Sequence, residues 1–171
     1  MKKRTSYLIV GIIIVVGLVI DLVTKVIFAQ VLENGARDID VIPGVFRFIY
    51  IENDGAAYGM LGGHTWLLII LTIAFIIGFI CYYIFNYSSS IWYSLSIGLI
   101  ISGAIGNLVD RVFIGKVRDF LSLEFFNFIF NFADVWITLG VICFSIHMLI
   151  EIIKEVREKK GKKSENDASD K

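Results

Sequence analysis

The sequence predicts a mainly α, polytopic membrane protein: four transmembrane helices with a small extracytoplasmic β-sheet. Three observations carry this. The 171 residues are 57% hydrophobic with a single proline, too apolar for a soluble domain of this size. Long apolar runs recur at about 7–28, 66–85, 91–109 and 132–150, and about 20 such residues suffice to cross a bilayer. Between the first two runs, Val45-Phe-Arg-Phe-Ile-Tyr-Ile-Glu52 is rich in β-branched and aromatic residues with partial alternation, a strand signal.

The first run opens with Met-Lys-Lys-Arg and imitates a secretory signal. Apolar character resumes after Asp21 and no small-residue cleavage site follows, so it reads as an uncleaved first helix. Asp21 and Lys25 stand i,i+4 with the acid first, the favourable order for a helical ion pair. That pair is either a clamp at the membrane boundary or a wall of a polar site. Asn34-Gly35 is a turn signal. Asn53-Asp-Gly-Ala-Ala-Tyr-Gly59 reads equally as a turn or as small residues admitting a close backbone approach. The second run has no charge, and Asn86-Tyr-Ser-Ser-Ser90 is a polar turn. The third run carries Ser94, Ser96, Gly98, Ser102, Gly103, Ala104 and Gly106, residues that let helices pack closely in lipid.

Four spans put both termini on one side. Lys2, Lys3 and Arg4 open the chain, and seven of its sixteen basic residues fall at or after Lys154, which assigns both ends to the cytoplasm. Segments 30–65 and 110–131 then face outward together. A single membrane domain is expected over 1–155, with a charged, disordered tail over 156–171. Basic residues that flank membrane spans serve topology, so no nucleic-acid partner is expected. Cys81 and Cys143 lie inside apolar runs and are expected to be buried free thiols rather than a disulfide.

The chemistry-bearing residues gather between Gly103 and Asp134. Asn107, Asp110, Arg111, Asn131 and Asp134 sit at or just beyond the ends of the third and fourth runs, with Asp119 in the loop between them. Carboxylates near hydrocarbon are paired or functional. Asp110 has an evident partner in the adjacent Arg111; Asp134 has no cation within a helical turn, and Asp119 has only its neighbour Arg118, which a local side-chain geometry need not use. His64 is isolated and His147 lies at the far end of the fourth run, so no metal site is expected. A Ser–Lys pair finds no nucleophile motif around Ser122 and Lys116. Two aspartates that meet would share a proton, one activating water and the other protonating a carbonyl oxygen. They could equally line a cation or proton path, which leaves a small carboxylate-lined transporter as the alternative. A transporter tends to place ionisable groups at mid-membrane within paired repeats. The middles of the second and third runs are uncharged and no repeat is visible.

Asp21-Leu-Val-Thr-Lys25, Asn53-Asp-Gly-Ala-Ala-Tyr-Gly59, Gly103-Ala-Ile-Gly-Asn-Leu-Val-Asp-Arg111, Val117-Arg-Asp-Phe120 and Phe130-Asn-Phe-Ala-Asp134 resemble, in order and spacing, the signature blocks of the bacterial lipoprotein signal peptidases (signal peptidase II). The resemblance covers roughly Asp21 to Gly140. It implies an aspartic endopeptidase of the cytoplasmic membrane that needs no cofactor. Its members act on lipid-modified prolipoproteins among the membrane lipids, cutting just before the diacylglyceryl cysteine. Carried over residue by residue, the catalytic pair falls on Asp119 and Asp134, and the supporting residues on Asp21, Lys25, Asn53, Asn107, Asp110, Arg111 and Asn131. Leu22 stands where the family usually has glutamine, and Val135 where it often has serine.

Overall fold

A computed structural model describes residues 1–33, 38–55 and 60–169, without the side chains of 33 and 161–169. Asn34-Gly35 and residues 56–59 of the Asn53–Gly59 stretch therefore lie outside the described residues. The chain forms four long helices, α1 (Lys3–Phe28), α2 (Thr65–Phe85), α3 (Ile91–Phe113) and α4 (Phe132–Ser169), each long and apolar enough to cross a membrane. Strands β1 (Ile39–Ile42) and β2 (Phe46–Asn53) lie between α1 and α2. Strands β3 (Val117–Leu123) and β4 (Phe128–Phe130) lie between α3 and α4. All pair antiparallel in one sheet of order β1-β2-β3-β4. The fold is the mainly α membrane architecture with a small sheet that the sequence predicts.

α3 is the central helix, and its small residues explain why. Ser102 Oγ donates to the Ile14 carbonyl of α1 at 3.3 Å. A Cβ on Gly103 would collide with the Ala133 carbonyl oxygen of α4, so glycine there is what lets the backbones of α3 and α4 approach each other. Toward the other end, Tyr93, Ile97 and Ile101 pack on Val10 and Tyr83. There Ser6 Oγ lies 2.7 Å from both the Tyr83 hydroxyl and Ser94 Oγ. At the same end the Met1 amine donates to Ser89 O at 3.1 Å, which places the basic N-terminus beside the α2–α3 turn.

The sheet caps the opposite end. Phe28, at the close of α1, stacks on Phe120 of β3 with centroids 4.5 Å apart and on Phe48 of β2 at 4.6 Å. Two expectations need correction here. Segment 110–131 is no open loop: α3 runs on to Phe113, and β3 and β4 follow. Asp119 is therefore a strand residue, opposite Ile51 of β2. The backbone of α4 is helical to Ser169. Acid–base pairs one turn apart, Glu151 with Lys154 and Glu155 with Lys159, support its charged portion. Finally, Cys81 is exposed on the protein surface and Cys143 partly so; both thiols are free, and an apolar run in a membrane helix faces lipid as readily as protein.

Candidate active site

The site is assembled where α3 ends, α4 begins and β3 crosses above them. Asn131 caps the start of α4. Its side-chain oxygen accepts from the Asp134 N–H at 3.2 Å, while the Asp134 carboxylate accepts from the Asn131 N–H at 3.2 Å. This reciprocal arrangement three residues apart is a capping box built with Asn and Asp. Asn131-Phe-Ala-Asp134 carries that signal in sequence, and it went unread there.

Asn131 also joins the two aspartates. Its Nδ2 donates to Asp119 Oδ1 at 2.6 Å, so one amide side chain holds Asp119 while its backbone N–H holds Asp134. Each carboxylate receives a second amide: Asn53 Nδ2 donates to Asp119 Oδ2 at 3.1 Å, and Asn107 Nδ2 donates to Asp134 Oδ1 at 2.9 Å. Asn131 Nδ2 further donates to Asn107 Oδ1 at 3.1 Å, closing the network. Three amides from β2, α3 and the α4 cap thus orient two acids from β3 and α4.

Behind the pair lies a buried ionic cluster. Lys25 Nζ stands 2.9 Å from Asp21 Oδ2 and 3.4 Å from Asp110 Oδ2, with all three side chains fully buried. Arg118 forks onto Asp110, Nη2 to Oδ1 at 2.6 Å and Nε to Oδ2 at 3.2 Å. Two acids and two bases give the cluster no formal charge, which is what makes its burial tolerable. Asp110 is therefore not the partner of Arg111, as adjacency in sequence suggests. Successive helical residues point about 100° apart and do not face each other. Arg111 turns instead toward the cavity and donates to the Gly55 carbonyl at 3.0 Å.

A cavity of about 600 Å³ opens in front of the aspartates. Asn53, Asn107, Arg111, Asp119 and Asp134 form its polar end; Leu68, Leu71 and Phe75 of α2 with Ala104 and Ile137 form an apolar wall. Asp119 is only 2% exposed. Burial, and then the neighbouring charge of Asp134, push its pKa up to about 7, against the hydrogen bonds from Asn53 and Asn131. At neutral pH this carboxyl can hold a proton. The arrangement supplies a proton donor beside a second carboxyl group, at the polar end of an apolar cleft. Among the described residues no three His, Cys, Asp or Glu side chains are grouped to hold a metal ion. The structure thus brings together Asn53, Asn107, Asn131, Asp119 and Asp134 as one network. Asp21, Lys25 and Asp110 lie in the cluster behind it, and Arg111 on the cavity wall. Arg118, which the sequence sets beside Asp119, completes that cluster on Asp110 instead.

Fold and site together define a polytopic membrane protein with an acid-lined cleft beneath a small sheet. A solved bacterial membrane enzyme structure shares this fold with a TM-score of 0.75 and 33% identity, covering 88% of this chain and 90% of that one. The signal peptidase II family model matches residues 13–150. The lipoprotein signal peptidase of Desulfitobacterium hafniense is 44% identical over 145 residues, 83% of this chain and 95% of its own length. That of Microcystis aeruginosa is 40% identical over 146 residues, 85% of this chain and 92% of its own. The chain belongs to the signal peptidase II family, and is a multi-pass membrane peptidase.

Proposed function

We propose that this protein is an aspartic endopeptidase that removes signal peptides from diacylglyceryl-modified prolipoproteins, cutting just before the lipidated cysteine. The observation that carries this reading is the bridging of Asp119 and Asp134 by Asn131 at the polar end of the cleft. The pair holds one proton, on Asp119. A water between the aspartates attacks the scissile carbonyl carbon; Asp134 takes the water's proton as Asp119 gives its own to the carbonyl oxygen. The tetrahedral diol then breaks its C–N bond. Asp134 hands its proton to the departing amine and Asp119 recovers one from a diol hydroxyl, so the pair is restored. The amides of Asn53, Asn107 and Asn131 keep both carboxyls in place throughout, which is the positional contribution expected of a preorganised site.

The substrate chemistry fits the cleft. A signal peptide is a membrane helix whose cleavage point lies beside acyl chains; the wall of Leu68, Leu71 and Phe75 suits apolar chains, and the polar end suits the peptide bond. Membrane lipids are the surrounding partner, and no nucleic acid is involved. The basic N-terminal residues and the α2–α3 turn lie at the end away from the sheet. This supports cytoplasmic termini and a site at the extracytoplasmic face of the bacterial cytoplasmic membrane. The site's acids and bases gather at the sheet end of the bundle rather than along a path through it, which weighs against the transporter alternative.

Purified protein incubated with diacylglyceryl-modified and unmodified preprolipoprotein tests the reading, with signal-peptide release followed by mass spectrometry. Only the modified form is expected to be cut, giving a product that begins with the lipidated cysteine. Equal cleavage of the unmodified form, or a cut at another bond, would sink the substrate assignment.

A further inference from the structure

Each proposed catalytic aspartate is preceded by a residue whose backbone N–H is held by a buried carboxylate. The Arg118 N–H donates to Asp110 Oδ2 at 3.0 Å, and the Ala133 N–H donates to Asp21 Oδ1 at 2.8 Å. Asp110 comes from α3 and Asp21 from α1, and Lys25 Nζ lies between their Oδ2 atoms, at 3.4 and 2.9 Å. The same ammonium donates to Asn107 Oδ1 at 3.0 Å. An amide whose oxygen faces a cation must turn its nitrogen the other way, and Asn107 Nδ2 is what meets Asp134. A Cβ on Gly106 would collide with the Asp21 carboxylate, so the helix backbone itself is shaped to seat this cluster.

We infer that Lys25 is a positioning residue that sets the separation of Asp119 and Asp134 and the hydrogen-bonding face that Asn107 shows to the pair. The inference rests on the aspartic reading above. It assigns Lys25 a task beyond neutralising Asp21: it ties strand β3 to the first turn of α4 through two backbone N–H groups, and it does so without touching substrate. The ammonium donates to Asn107 and is ion-paired with both Asp21 and Asp110, so no shorter or neutral side chain reproduces the tie.

The test uses the full-length protein and the diacylglyceryl-modified preprolipoprotein cleavage assay. Lys25→Met alone strands Asp21 without its cation, so a charge-balanced variant, Lys25→Met with Asp21→Asn, is made beside it; Asp110 keeps Arg118 in both. The balanced variant is expected to melt as a folded protein and to keep KM within about threefold, with kcat lowered by about 10²-fold, the scale on which positioned acid–base groups act. A merely structural role lowers the amount of folded protein and leaves kcat per folded molecule in place. Near-native kcat, or a loss confined to KM, overturns the inference. Asp119→Asn and Asp134→Asn run in the same assay separate the two levels: their inactivity beside a fully active balanced variant removes the role of Lys25 alone, while activity in either removes the catalytic pair.

Discussion

Helices α2 and α3 are similar in length, 21 and 23 residues, and both cross the membrane, yet they answer to different surroundings. In α3, 67% of the apolar stretch is buried within the protein; in α2 the share is 11%, with Leu68 and Tyr83 its buried residues. The buried helix is the less apolar one, carrying serines, glycines, Asn107 and Asp110, and the lipid-facing helix is almost purely aliphatic and aromatic. This reverses the rule for soluble proteins. Lipid offers α2 the same environment as an apolar core, so no hydrophobic force presses it inward, and close packing and polar contacts decide which helix takes the centre. Function follows that division: α3 supplies fixed polar groups, and α2 supplies a wall of the cleft.

The largest effect that sharpens the contrast lies at the centre. Asp119→Asn or Asp134→Asn should abolish measurable cleavage, since each acid–base group contributes about 10²–10⁴-fold and the pair acts as a unit. Folding should survive, checked by melting, because a neutral amide is cheaper to bury than a carboxylate. Cleavage above a hundredth of the native rate by either variant would move the chemistry elsewhere.

Next comes the ionic cluster. Arg118→Ala leaves the fully buried Asp110 short of one cation. The loss of stability should be about 3–5 kcal/mol, read by thermal or denaturant melting. Arg111→Ala should leave the melting point nearly unchanged and lower cleavage instead, because it removes a tether to Gly55 rather than a partner of Asp110. An equal loss of stability in both variants would contradict the pairing described above.

Glycines put α2 and α3 side by side. Gly103→Ala drives a methyl against the Ala133 carbonyl oxygen and Ile137, and should cost about 1–3 kcal/mol. Gly78→Ala on α2 meets nothing within 4 Å and should leave stability unchanged or slightly raised. Comparable losses at both positions would mean that α2 packs as tightly as α3.

A smaller effect concerns pH. Asp119 is raised to about 7, and in the proposed mechanism it acts in its protonated form, so the proton is present below that pH and lost above it. The kcat/KM should therefore fall as pH rises through about 7, by up to tenfold for each unit beyond. The linked stability has the same sign: a carboxyl raised on folding opposes folding increasingly as pH climbs from its ordinary value toward 7. A cleavage rate still climbing well above pH 7 would assign the proton to another group.

Much of this was legible in the residues. The four apolar runs needed only length and composition; Asn107, Asp110, Arg111, Asn131 and Asp134 stood out at the ends of runs and Asp119 between them, while Asn53 entered the candidate site through the family resemblance. Partnership was not legible. Asp110 and Arg111 are neighbours in sequence, but the helix turns them to different faces, and the true partner Arg118 arrives from a strand eight residues on. Strand β3 was hidden for a related reason. Val117, Asp119, Phe120, Leu121 and Ser122 are all buried, so helices on one face and neighbouring strands at its edges erase the alternation that marks a half-exposed strand. The cap at Asn131 was readable in principle, since its spacing to Asp134 is that of a capping box.

The cap at Asn131 ties the proposed chemistry to the first turn of α4. Because the same Asn131 and Asp134 groups begin α4 and take part in the proposed catalytic pair, fraying of one helical turn would dismantle that arrangement without any global unfolding. Hydrogen exchange at the Asn131, Ala133 and Asp134 amides would report the fraction of molecules in working order. Mild denaturant or heat would lower that fraction, and with it turnover, while the rest of the bundle still gave a native spectrum.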